Sequence, residues 1–134
     1  LLAGLARELP RDAGDPELAE WLQEAEAVIQ AQHLADVFDA TRYEQVYAEV
    51  PLQYFQGEAL VDGIIDRLLL GPDSAHIIDY KTHGIDATQA EATAQLYREQ
   101  LHLYAEGVRK LWPQRQVRAS LLFTQCRVLV DLAI

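Results

Sequence analysis

The segment Gly71-Pro72-Asp73-Ser74 separates two apolar runs, Ala59–Leu70 and His76–Thr82. Gly and Pro there predict a turn, and the flanking runs read as strands that the turn places side by side. Each run carries an acid among apolar neighbours. Asp66 closes Val61-Asp62-Gly63-Ile64-Ile65-Asp66, and Asp79 follows His76-Ile77-Ile78. Burying a carboxylate is costly unless it is paired or holds a metal. Any fold for this chain must therefore bring two adjacent strands together and find a use for their embedded acids.

The remaining elements follow from periodicity. Residues 1–10 read as the tail of a helix ended near Pro10. Asp15-Pro16-Glu17 predicts a helix start, with Asp as the N-cap and Pro at the first helical position. Leu18, Trp21, Leu22, Ala25, Val28 and Ile29 then recur at helical spacing to about Gln32. A short turn of helix covers Leu34–Phe38. Val46, Ala48, Val50 and Leu52 alternate with Tyr47, Glu49 and Gln53, which predicts another strand. Gly84 breaks the third strand. Asp86 caps a long helix from Ala87 to Leu111, with an apolar seam of Ala94, Tyr97, Leu101, Tyr104, Val108 and Leu111, and Trp112-Pro113 stops it. Val117–Thr124 and Arg127–Leu132 read as two strands joined tightly around Gln125. The order predicts an α/β fold: a mixed central sheet built from a β-meander, a crossover helix and a β-hairpin, flanked by helices.

Length and composition bound the rest. A chain of 134 residues is one domain's worth. No apolar run approaches the roughly 20 residues that span a bilayer. The start, Leu1-Leu2-Ala3-Gly4-Leu5, lacks the basic flank of a signal peptide, and with no Met in the chain the expectation is a piece of a longer protein. The lone Cys126 excludes an internal disulfide and a four-cysteine cluster, and fits a reducing cytoplasm. The net charge of −10 is uneven: residues 1–49 hold 11 acids against Arg7, Arg11 and Arg42. From Gln95 onward bases outnumber acids. Proteins capture nucleic acid by neutralising phosphates with Lys and Arg. A chain this acidic needs neighbouring domains to deliver it.

In a strand, side chains two apart point the same way, so Asp79 and Lys81 lie side by side on one face. Asp66 joins them if it faces that way too. Two carboxylates and a lysine can hold a hard cation such as Mg²⁺ and polarise a water beside it. An ammonium adds a positive centre aimed at the attacking water or the transition-state oxygens. That is the minimum equipment for cutting a phosphodiester. The plain alternative is strand-end acids in water or in salt bridges with Arg67 and Lys81. Taken together, two acids embedded in neighbouring apolar runs favour the metal.

Three segments carry a family resemblance: Gly63-Ile64-Ile65-Asp66-Arg67-Leu68, Ile77-Ile78-Asp79-Tyr80-Lys81-Thr82, and Tyr97-Arg98-Glu99-Gln100-Leu101-His102-Leu103-Tyr104. In order and spacing they resemble the motifs of the RecB-type PD-(D/E)xK nuclease domain, and most of all those of AddA-like helicase–nucleases. The resemblance runs from about Tyr43 to Leu132. It implies a restriction-endonuclease-like core over residues 43–134, a helical region over 1–40, and excision from the C-terminal part of a helicase–nuclease. It implies a Mg²⁺-dependent (or Mn²⁺-dependent) DNA exonuclease or endonuclease acting in end resection and double-strand break repair. The metal ligands would be Asp66, Asp79 and the Tyr80 carbonyl, and Lys81 the catalytic lysine. Gln100 and Tyr104, four apart on one helix face, would position DNA or the site, and Glu49 matches a glutamate common in the family. The implied partners are DNA delivered as single strands, helicase domains in the same chain and an AddB/RecC-like subunit, with no membrane and a cytoplasmic setting.

Two features depart from the pattern. The Gly-x-x-x-His motif of the family's first helix is absent, and Leu1-Leu2 resembles the stretch just after that His. His33, His76, His83 and His102 are read as ordinary surface or partly packed histidines. The cysteines that bind an iron–sulfur cluster in AddB-like relatives are also absent, which favours the AddA side. Two other functions remain open: a catalytically silent module of nuclease fold that docks other domains through its acidic helices, and another nuclease of the superfamily, against which the Gln-x-x-x-Tyr helix argues.

Overall fold

A computed structural model describes residues 15–134. The expected helix tail over residues 1–10 and the stretch resembling the end of the histidine motif lie outside them, as does the side chain of Asp15 expected as a cap. Among the described residues the order is α1 (Asp15–Gln30), a 3₁₀ turn, α2 (Ala35–Phe38), a second 3₁₀ turn, β1 (Gln45–Gln56), β2 (Ala59–Leu70), β3 (Ser74–Lys81), α3 (Ala90–Gln95), α4 (Arg98–Leu111), β4 (Gln116–Phe123) and β5 (Val128–Leu132). The strands form one sheet in the order β1-β2-β3-β4-β5. β1, β2 and β3 are an antiparallel meander, β4 is parallel to β3, and β5 is antiparallel to β4. The parallel step is the one joined by α3 and α4, as a parallel pair requires. The sheet is thus mixed, as the element order predicts.

Each face of the sheet carries its own core. Leu68, Leu70, Ile77, Leu121 and Phe123 pack against Leu101, Tyr104, Ala105 and Val108 of α4. Leu69, Ile78, Tyr80 and Leu122 pack against Ala25 and Val28 of α1 and Val37 of α2. The alternation of β3 is therefore strict: Ile77 faces α4 while Ile78 and Tyr80 face α1. Gly107 lets α4 seat on β1, since a Cβ there would lie 2.5 Å from Leu52 Cδ1. The β1–β2 connection is a two-residue loop, with Gly57 at φ 63° at its first position, as a II′ hairpin turn demands.

Three expectations need correction. The helix expected as continuous from Ala87 to Leu111 is broken at Leu96–Tyr97. There the bonding tightens, with Leu96 N–H donating to Thr93 O at 3.1 Å and Tyr97 N–H to Ala94 O at 3.0 Å. Asp86 caps the turn ahead of α3 rather than a helix beginning at Ala87: its carboxylate accepts the N–H groups of Thr88 and Gln89, and Gln89 Oε1 accepts the N–H of Asp86. That is a capping box. The apolar stripes are also shorter than expected. Leu111 is exposed, so the α4 seam ends at Val108. Leu18 and Leu22 are exposed as well, and of the α1 stripe only Ala25 and Val28 are buried.

His76 is buried, not superficial. Its Nε2 lies 2.7 Å from Ser120 Oγ. The one hydroxyl proton of Ser120 goes to Asp131 Oδ1, so His76 Nε2 carries the proton it donates. Burial, with the nearby Arg118 charge adding to it, lowers the His76 pKa from 6.5 to about 4. The unfolded chain thus takes up a proton that the folded chain refuses. Folding stability is whole above pH 6.5 and falls as pH drops from 6.5 to about 4. In urea titrations across that window, His76→Gln is expected to show a shallower decline than wild type. The difference should be on the order of 3 kcal/mol at the acid end, and identical pH slopes would contradict the assignment.

Candidate active site

β2 and β3 pair only from Arg67↔Ile78 to Leu70↔Ala75. Upstream of Arg67, β2 stays with β1 and parts from β3, so the sheet forks. Asp66 sits at the crotch, inside β2 rather than at its end. Where the ladder stops, its Oδ2 accepts the Tyr80 N–H at 2.7 Å. A side chain thereby takes the place of the next rung and ties Asp66 to the residue beside Asp79.

The faces agree. Asp66 shares the parity of Leu68 and Leu70, and Asp79 and Lys81 share that of Ile77, all on the α4 side. Asp66 is 1% exposed and Asp79 5% exposed. Lys81 Nζ lies 3.0 Å from Asp79 Oδ2. Arg67 points to the opposite face, where it donates to Val37 O at 2.9 Å and stacks on Phe38. Tyr80 turns its ring to the α1 side, where burial raises its pKa to about 12. Its main chain alone is turned toward the acids.

Glu49 lies across from Asp66, between the pairs Ala48↔Arg67 and Val50↔Ile65. Its φ is 53°, the left-handed region that a non-Gly residue rarely occupies. Both strands change sides around this pair. Val46 packs toward α1, but Val50 and Leu52 pack toward α4; Leu69 faces α1, but Ile65 faces α4. The β1–β2 ribbon thus rolls over beside the acids. Backbone strain of this kind costs about 1–3 kcal/mol and gathers at functional sites.

Gln100 and Tyr104 stand on α4, and Gln100 Nε2 donates to Tyr104 Oη at 3.3 Å. Gln100 is exposed and Tyr104 is buried. The Tyr104 ring lies against Gly63 of β2, three residues before Asp66; a Cβ on Gly63 would meet Tyr104 Cε1 at 2.6 Å. So the glycine of the first motif and the tyrosine of the third touch.

Sequence reasoning missed four neighbours of Lys81. Its Nζ lies 4.3 Å from the centre of the Tyr97 ring. Tyr97 Oη and His83 Nε2 share a hydrogen bond of 2.7 Å. On the other side, Thr124 N–H donates to Lys81 O at 2.9 Å, and Thr124 Oγ1 donates to Glu24 of α1. Sequence places Tyr97 in an apolar seam and at the head of the third motif without linking it to Lys81, and nothing in the pattern links Glu24 or Thr124 to β3. His33 and His102 are exposed, as expected.

Among the described residues, no three His, Cys, Asp or Glu side chains are gathered to hold a metal. Two buried carboxylates remain, and they suit a hard cation that keeps waters and phosphate as its other ligands.

A family model, the PD-(D/E)XK nuclease superfamily, matches residues 1–132. The chain belongs to the PD-(D/E)XK nuclease superfamily. Nucleases of this superfamily generally use divalent metal ions. Over 64 residues, 48% of this chain, it is 41% identical to an ATP-dependent helicase/nuclease protein of Desulforudis audaxviator. Over 110 residues, 67% of this chain, it is 32% identical to the ATP-dependent helicase/nuclease protein of the same description in Limosilactobacillus fermentum. These matches span only 5% and 8% of the two relatives' lengths. The structure of protein VC1899 from Vibrio cholerae aligns over 81% of this chain and 25% of its own, at 22% identity and a TM-score of 0.41.

Because an aromatic ring cannot fold away as a flexible side chain can, Gly63→Ala in this PD-(D/E)XK chain should push Tyr104 and its helix off β2. The expected loss is about 1–3 kcal/mol in urea unfolding. An unchanged midpoint would show that the contact is slack.

Proposed function

We propose that this chain is the nuclease part of an AddA-like helicase–nuclease, hydrolysing phosphodiester bonds of single-stranded DNA during end resection and double-strand break repair. The observation that carries this reading is the fork itself: two buried carboxylates and a lysine on one face, in a chain of nuclease family. We assign Asp66, Asp79 and the Tyr80 carbonyl to a divalent cation, Mg²⁺ by preference and Mn²⁺ as its substitute. When bound, that cation supplies positive charge to the phosphate and lowers the pKa of a water.

The residues have separate tasks in this reading. Asp66 is held by the Tyr80 N–H, so its carboxylate is oriented before any ligand arrives, as a site of this kind requires. Asp79 balances the Lys81 ammonium. Lys81 stabilises the attacking water or the developing charge on the phosphoryl oxygens. Gln100 and Glu49, at the margins of the fork, position the strand. The acidic remainder of the surface agrees with delivery of DNA by helicase domains of the same polypeptide and an AddB/RecC-like subunit.

Calorimetric titration with Mg²⁺ and Mn²⁺ tests the metal assignment. Wild type is expected to bind, and Asp79→Ala to lose binding; equal and negligible heats in both would favour a non-catalytic docking module instead. On labelled single-stranded DNA, Lys81→Ala should cut the rate by about 10²–10³-fold while leaving the unfolding midpoint near that of wild type. Retention of metal-dependent cleavage would show the lysine to be wrongly assigned.

A further inference from the structure

The break between α3 and α4 has no local cause. From Ala87 to Glu106 the chain contains neither Gly nor Pro, and its Ala, Gln, Glu, Leu and Arg are good helix formers. Yet the helix gives up regular bonding at Leu96–Tyr97 and leaves Leu96 80% exposed. Kinks have identifiable causes, and here the cause is tertiary: the break turns the Tyr97 ring toward β3.

Tyr97 meets two groups there. Its ring face lies 4.3 Å from Lys81 Nζ. Its hydroxyl is bound to His83 Nε2 at 2.7 Å. The His83 ring in turn stands edge-on to Phe123, at 6.1 Å between centres and 75° between planes. Phe123 is fully buried. A continuous line of contacts therefore runs from the core through His83 and Tyr97 to the ammonium.

We infer that Tyr97, held by His83, is a positioning residue that fixes the direction of the Lys81 ammonium. The inference rests on the reading of Lys81 as the catalytic lysine. A lysine ends four methylenes from its backbone, and its charge wanders unless restrained. Two restraints act on this one: the Asp79 carboxylate at 3.0 Å and the Tyr97 ring. Asp79 is also an assigned ligand of the cation, so its hold on the ammonium is shared. The ring also packs against the core of the α4 side, which holds it in place, and it has no part in holding the cation. A cation over an aromatic face gains about 0.5–2 kcal/mol, enough to favour one orientation by roughly two- to thirtyfold.

The metal-free protein offers a readout that activity does not. A proton over an aromatic face is shielded, so the Lys81 ε-methylene resonance should lie upfield of an ordinary lysine's. Tyr97→Phe keeps the ring and is expected to keep that shift. Tyr97→Leu is expected to lose it. In cleavage assays, Tyr97→Leu should lower kcat about tenfold or more with KM and metal affinity unchanged, and Tyr97→Phe should restore kcat to within about threefold of wild type. His83→Ala takes away the ring packed on Phe123 as well as the hydrogen bond, so it should lower kcat at least as much as Tyr97→Phe, and the double variant should be no worse than His83→Ala alone.

Equal kcat losses in Tyr97→Phe and Tyr97→Leu would overturn the inference, as would a Lys81 resonance indifferent to the ring. If Tyr97→Leu fails to fold, Tyr97→Met carries the same comparison. Absence of metal-dependent cleavage in the wild type would sink the nuclease reading, not this geometry. The shift in the metal-free variants would still show whether the ring directs the ammonium.

Discussion

The hydrogen bond from the Tyr80 N–H to the Asp66 carboxylate organises this molecule. It stands where the ladder between β2 and β3 ends, and it lets the sheet fork without leaving a buried donor unsatisfied. Above the fork, β2 follows β1 toward α4; below it, β3 continues to β4. The same contact sets Asp66 beside the strand segment that carries Asp79 and Lys81. Fold and site share one carboxylate.

Much of this was legible in the residues because strand periodicity is short and rigid. Asp79 and Lys81 had to share a face, and β2 runs from Ala59 to Leu70 as its apolar run predicts. The turn at Gly71-Pro72 and the stop at Trp112-Pro113 were equally plain, since Gly and Pro constrain the backbone itself. What the residues did not disclose was decided at a distance. No breaker marks Leu96–Tyr97, because the helix yields to contacts that Tyr97 makes with β3 and its extension. No pattern marks the left-handed backbone of Glu49, because it serves the rolling of two strands. His76, read as a surface or partly packed histidine, is buried because Ser120 and Asp131, from strands far along the chain, supply its partners.

Hydrophobic burial and polar satisfaction divide the work between the two faces. The α4 face carries the acids, Lys81 and the aromatic pair, bounded by Tyr104 against Gly63. The α1 face carries Arg67 on Phe38, the inert Tyr80 ring and the His76–Ser120–Asp131 chain. α1 nonetheless reaches β3 through Glu24, which accepts from the Thr124 hydroxyl, and Thr124, whose N–H donates to the Lys81 carbonyl. The helical region and the strand that carries Asp79 and Lys81 are thus mechanically joined.

The double duty of Asp66 bears on how such a domain can decay. A lineage relieved of selection for cutting could discard Lys81, to which the proposed function gives the catalytic part, with little harm to the sheet. It could not discard Asp66 as cheaply, because the Tyr80 amide would be left buried and unsatisfied. A descendant that only docks would then still display the first acid of the pair, as an architectural relic rather than a sign of activity.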